Sequence, residues 1–222
     1  MRSAGTTRRF RGDPVPDAVL YRVLDNARFA PNGGNRQGWH VVIVKDPQTR
    51  RSLHDLYQPH WSAYLQERYG LAPGSKPSSD LPQLLRRSME FAERLYEVPV
   101  HLLVTVDLGA LAVTDRSLPR QSIVGGGSIY PFVQNLLLGL RQEGVGAALT
   151  TLIIPAEGQV KQLLGIPEDH ALAALVAVGY PEGNLPTRLK RKPVEEFATR
   201  ERFDGPEFTS PSANSERNSE SK

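Results

Sequence analysis

The spacing of apolar residues between positions 129 and 140 constrains this chain most. Ile129, Phe132, Val133, Leu136, Leu137 and Leu140 fall at i, i+3, i+4, i+7, i+8 and i+11, one continuous stripe on a helix. Ser128 is the expected N-cap, and Pro131 is tolerable because the first turn has no intrahelical N–H bonds to lose. Gly125, Gly126 and Gly127 lead in with room for close backbone approach, and Gly144 ends the helix. Around it lie four apolar runs that read as buried strands: 39–44 (WHVVIV), 99–106, 146–154, and 171–178 closing at Gly179. Three further helices are expected before the central one. Asp17 caps the first, with Leu20, Val23, Leu24 and Ala27 on one face and Pro31 ending it. Asp46-Pro47 opens the second, through about Gln66, and 84–96 forms the third. A short helix over 157–164 precedes the last strand.

The remaining segments are connectors and ends. Residues 70–82, GLAPGSKPSSDLP, read as a surface insertion rather than a domain linker, because neither flank completes a core alone. From Tyr180 the helical and strand periods vanish and prolines accumulate, so 180–208 is expected to lie as an extended arm across another surface. Residues 1–208 form one domain in this reading, and 209–222 a polar, disordered tail. No run approaches the ~20 apolar residues of a membrane span, and MRSAGTTRRF lacks the apolar core of a secretory signal. With no cysteine there is no disulfide framework and no thiolate chemistry, which fits a cytoplasmic protein.

Net charge is only +3, from 27 basic and 24 acidic residues, but the basic residues gather at the ends. Arg2, Arg8, Arg9 and Arg11 sit at one end, and Arg188, Lys190, Arg191 and Lys192 near the other. They are either two solvated ends or a convergent anion site. No aromatic residues interleave with them as a stacking platform, which argues against nucleic acid. No dinucleotide fingerprint, Walker motif, nucleophile elbow or metal-ligand histidine spacing is present. His40 and His101 lie in apolar strands and read as structural.

What remains is a set of arginines and amides without an evident acid, base or nucleophile, which points to chemistry done by a cofactor. The connector RFAPNGGNRQGWH (28–40) places Asn32, Asn35, Arg36 and Gln37 around two glycines, more polar equipment than a turn requires. Arginines fork onto a phosphate, and amides pair with a ring edge of alternating N–H and C=O groups. Flavin mononucleotide (FMN) has both parts.

Several short stretches, in order along 6–197, resemble the FMN-dependent nitroreductase family. They are Thr6-Thr7-Arg8-Arg9-Phe10, Ala30 to Trp39, Gln134-Asn135-Leu136-Leu137-Leu138, Gly144-Val145-Gly146, Leu164-Gly165-Ile166-Pro167, Val178-Gly179-Tyr180-Pro181 and Pro186 to Pro193. The resemblance implies an α+β fold: a central, antiparallel-type mixed sheet flanked by helices. It also implies an intertwined homodimer whose C-terminal arms reach onto the partner, with FMN at the interface. NADH or NADPH would reduce the flavin, and a nitroaromatic, quinone or related acceptor would reoxidise it at N5 in a ping-pong cycle. No separate catalytic side chain is then needed. Carried over by position, Arg8 approaches the pyrimidine side of the ring, where a cation stabilises developing charge. Pro31, Asn32, Gly33, Asn35 and Gln37 match the loop that contacts FMN from the partner chain. Leu149, Thr150 and Thr151 match the segment passing N5. Arg191, with Arg188, matches the basic group on the phosphate.

Four departures stand out. Ala4, Gly5 and Thr6 occupy places where relatives carry Arg-Arg-Ser or Arg-His-Ser, so an expected phosphate arginine is missing and Arg9 or the C-terminal run would compensate. Asn32 replaces serine and Gly38 replaces proline. Thr151 stands where some relatives place an acid, which leaves open a flavin-binding scaffold without turnover. Residues 57–95, with Trp61 and Tyr64, read either as the acceptor pocket or as ordinary packing.

Overall fold

The computed structural model describes residues 1–210. All but the first two residues of the expected tail lie outside the described residues. The chain divides into two units, Met1–Thr187 and Arg188–Lys222.

The first unit is built on four strands: β1 (Trp39–Val44), β2 (Val100–Asp107), β3 (Gly146–Thr150) and β4 (His170–Gly179). Their spatial order is β1-β2-β4-β3, and every neighbouring pair is antiparallel. The outer edge of β3 meets the N-terminal segment. Thr6 forms a parallel bridge with Ala147, and the Thr7 N–H donates to the Ala147 carbonyl at 2.8 Å. Farther on, the Arg11 N–H donates to the Tyr180 carbonyl at 2.8 Å. The central strands β2 and β4 are covered on both faces, which is why their sequences are apolar without polar alternation. Val100, Leu102, Val104 and Val106 enter one core, while Leu103 enters the other. A bulge opposite Val104 and Thr105 puts Ala173 and Ala174 on the same side.

Two helices, α1 (Asp17–Ala27) and α4 (Tyr130–Gln142), pack together on the first face. On the second lie α2 (Pro47–Tyr69), α3 (Gln83–Glu93) and α5 (Glu157–Leu164). The N-terminus of α2 is held by Asp46, whose carboxylate accepts from the Thr49 N–H at 2.7 Å. The helix runs past the expected Gln66 to Tyr69, where Gly70 turns left-handed (φ 67°). There the Gly70 N–H returns to the Gln66 carbonyl and the Leu71 N–H to that of Leu65. Two expected caps differ. Pro16, not Asp17, precedes α1, and the Asp17 carboxylate instead pairs with Lys45. Ser128 sits in a 3₁₀ turn ahead of α4, and its hydroxyl accepts the Gly33 N–H at 3.1 Å. Strand β3 stops at Thr150 rather than near 154, because the Leu152 N–H bends back to the Thr150 hydroxyl at 3.2 Å. Helix α3 ends at Glu93, and a separate 3₁₀ turn covers Leu95–Glu97.

In the second unit, the described residues 188–210 hold a 3₁₀ turn at Val194–Glu196 and a bridge from Thr199 to Glu207. Among the described residues no helix is long and apolar enough to cross a membrane.

Candidate functional site

A cavity of about 570 Å³ opens between α2, α3, the end of β3 and the N-terminal segment. One side is aromatic. Tyr57, Trp61 and Tyr64 lie at i, i+4 and i+7 on α2, so they share a face. Tyr57 stacks on Trp61 (centroids 6.3 Å apart, 14° between planes), Trp61 tilts onto Tyr64 at 5.7 Å, and Tyr64 meets Tyr69 edge-on at 6.1 Å. Phe91 of α3 also lines the cavity. The sequence reading left 57–95 between pocket and packing. These side chains do both, burying Tyr57 almost completely while their rings border the cavity.

Facing that side are Arg8, Leu149, Thr150 and Thr151, four of the residues singled out from the sequence. The Tyr57 side chain faces Thr150 and Arg8 across the cavity lining. Burial pushes its pKa up to about 12, against the opposing pull of Thr150 and of nearby Arg8, so it is a neutral phenol at working pH. Burial lowers the Arg8 pKa from its usual value, with Tyr57 opposing and Arg87 adding to the shift. Arg8 makes no hydrogen bond or ion pair among the described residues. An unneutralised guanidinium bordering an aromatic cavity suits a flat ring with an electron-rich edge.

Arg9 goes elsewhere. It points into a second cleft of about 300 Å³, pairs with Glu90 at 2.7 Å, and shares that cleft with Arg94, Glu97 and Glu182. Its charge is therefore already balanced.

The loop 31–37 does not line the large cavity. It folds on itself and against 107–112. The Asn32 carboxamide oxygen accepts the Gln37 N–H at 2.9 Å, its NH₂ donates to the Ala30 carbonyl at 3.3 Å, and the Gln37 amide donates to the Asn35 carbonyl at 3.4 Å. Gly34, Asn35 and Gln37 all hold positive φ (63°, 52° and 52°), an uncommon state for the two non-glycine residues. The loop glycines are explained by packing within the chain. A Cβ on Gly33 would lie 2.8 Å from the Ala112 Cβ, and one on Gly38 would lie 2.4 Å from that of Ala110. Pro31 and Asn35 remain exposed.

Arg188 and Arg191 belong to the second unit. With Leu189 and Lys190 they border a shallow basic surface, and Arg191 donates to the Lys190 carbonyl at 2.8 Å. Among the described residues no cluster of histidine or acidic side chains could hold a metal ion. Sequence reasoning missed Tyr57, although its place in the 57/61/64 aromatic period was a usable signal.

The family model described as Nitroreductase family matches residues 1–180. An NADH dehydrogenase of Thermus thermophilus is 28% identical over 198 residues, covering 85% of this chain and 87% of its own. Iodotyrosine deiodinase 1 of Rattus norvegicus is 27% identical over 186 residues, covering 83% of this chain and 62% of its own. Among solved structures, oxidized iodotyrosine deiodinase bound to FMN and 3-iodo-L-tyrosine superposes with a TM-score of 0.65 at 23% identity. It covers 90% of this chain and 95% of the other.

Proposed function

The chain belongs to the nitroreductase family, and on that premise we propose that it is an FMN-dependent oxidoreductase. It takes electrons from NADH or NADPH and delivers them to a nitroaromatic, quinone or related small acceptor. The observation that carries this reading is the unneutralised Arg8 guanidinium on a cavity bordered by Tyr57, Trp61, Tyr64 and the Leu149–Thr151 segment. Bound FMN supplies the two-electron chemistry.

The donor set fits that group. Arg8 offers forked N–H donors and positive charge to the electron-rich edge of the ring, where charge develops on reduction. Tyr57 borders the cavity beside the end of β3. The apolar rings of α2 and α3 exclude water from the reacting face. The self-contained loop 31–37 meets the cofactor of a second copy in a homodimer.

The cavity lining holds one cation, Arg8, and no carboxylate. The aromatic wall of Tyr57, Trp61 and Tyr64 suits a flat aromatic acceptor. Purified protein is expected to be yellow, to take up FMN after stripping, and to oxidise NADH or NADPH when a quinone or nitroaromatic is added. A colourless protein that takes up no FMN refutes the reading. FMN uptake without turnover of any acceptor selects the non-catalytic flavin-binding alternative.

A further inference from the structure

FMN ends in a phosphate on a thin ribityl chain, so a site for it needs a narrow passage from the ring cavity to a cation. A smaller cleft of about 60 Å³ lies beside the large cavity and shares two lining residues with it, Thr6 and Leu149. The smaller cleft is bordered by Ala4 and Gly5, where an arginine was expected from the sequence, and by Arg141 from the last turn of α4. Arg9 cannot fill that place, because Glu90 holds it in a different cleft.

Arg141 is half-buried and fixed. Its Nε donates to the Ser3 carbonyl at 3.1 Å and one terminal nitrogen donates to the Pro186 carbonyl at 3.4 Å. These bonds tie the guanidinium to the N-terminal segment while leaving donors free, since a guanidinium carries five N–H groups. It has no carboxylate partner among the described residues. The nearest acid along the chain, Glu143, is taken by Arg22 at 2.6 Å. A positioned, unneutralised guanidinium lining a cleft next to a ring-sized cavity is arranged for an anion.

We propose that Arg141 is a phosphate-binding cation of this chain, supplying from α4 the charge that Ala4 and Gly5 do not supply from the N-terminus. The proposal rests on the FMN reading above. A cation in the last turn of a helix also complements the helix dipole, but that role is indifferent to the ligand offered, and this difference makes the test decisive.

Full-length protein stripped of flavin is titrated with FMN and with riboflavin, which lacks the phosphate, by flavin fluorescence. Wild type, Arg141→Gln and Arg141→Lys are compared. Gln keeps a donor for the Ser3 carbonyl, and Lys keeps the charge without the fork. Arg141→Gln is expected to weaken FMN binding about tenfold, equivalent to ~1.4 kcal/mol, and to leave riboflavin binding unchanged. Arg141→Lys falls between. The dependence of FMN affinity on salt becomes shallower in Arg141→Gln. Equal losses for both flavins identify a purely structural role and overturn the proposal, as does FMN binding that keeps its strength and salt dependence. Wild-type protein that takes up neither flavin refutes the FMN reading itself, a distinct result.

Discussion

Acidification destabilises this protein through a histidine in the sheet. His101 on β2 is fully buried, and its Nε2 lies 2.9 Å from the Leu95 carbonyl oxygen. That contact requires the proton on Nε2, leaving Nδ1 buried with no hydrogen-bond partner. A second proton would have to sit on Nδ1, where nothing accepts it. Burial therefore pulls the pKa from 6.5 down to about 4, with Arg50 and His54 adding to the effect and the Leu95 carbonyl opposing it. Between those two values the unfolded chain binds a proton that the folded chain does not, so stability falls as pH falls through that window. At 1.36 kcal/mol per pH unit, the full interval is worth about 3 kcal/mol. For a chain of this size that is a Tm decrease of roughly 6–12 °C. Above pH 6.5 both states hold a neutral imidazole and this contribution is flat. Denaturant unfolding from pH 8 to 4.5, in wild type and His101→Gln, measures it. The glutamine donates to the same carbonyl but does not titrate, so its stability varies less over the window. Carboxylates held below their usual range, such as Glu143 beside Arg22, are common to both proteins and cancel in the difference. Parallel stability curves for the two proteins refute the reasoning.

Two other substitutions probe the site and its surroundings. Trp61→Ala removes the middle ring of the α2 series and is expected to raise the KM for 4-nitrotoluene about tenfold, from the loss of an aromatic contact worth ~1.4 kcal/mol. Stopped-flow reduction of the bound flavin by NADH or NADPH stays at the wild-type rate, and an unchanged KM refutes the acceptor role of that wall. Gly38→Ala puts a methyl group 2.4 Å from the Ala110 Cβ, so the 31–38 loop must shift at a cost of about 1–3 kcal/mol; a thermal melt that does not move counts against it.

Much of the frame was legible because it depends on short-range patterning. WHVVIV forms β1 over the expected residues, and the stripe from Phe132 to Leu140 is the buried face of α4. Gly70, the left-handed residue that ends α2, is likewise a local signal. What escaped depends on contacts between residues far apart in sequence. Ser128 looks like a local helix cap, yet its hydroxyl serves Gly33, ninety-five positions away. Arg8 and Arg9 are adjacent and chemically identical, and only the position of Glu90 decides which is neutralised. The amides of the 31–37 loop read as ligand contacts, but Asn32 and Gln37 spend much of their hydrogen-bonding capacity closing their own turn. Arg141 carries no local signal, because its place depends on α4 ending beside Ser3.

The strand order has a consequence for how the molecule comes together. Among the described residues β4 is the last strand; it lies between β2 and β3, and β3 has no other strand neighbour. During synthesis from the N-terminus, β1 and β2 can pair early, but β3 must wait for residues beyond 170. The N-terminal segment waits too, since Thr7 docks on Ala147 across a loop of some 140 residues, a closure with a large entropic cost. The residues around Arg8 are thus made long before the strand edge they dock on. The cavity is complete only after nearly the whole first unit has emerged, so a nascent chain cannot gain stability from ligand binding until its sheet is closed.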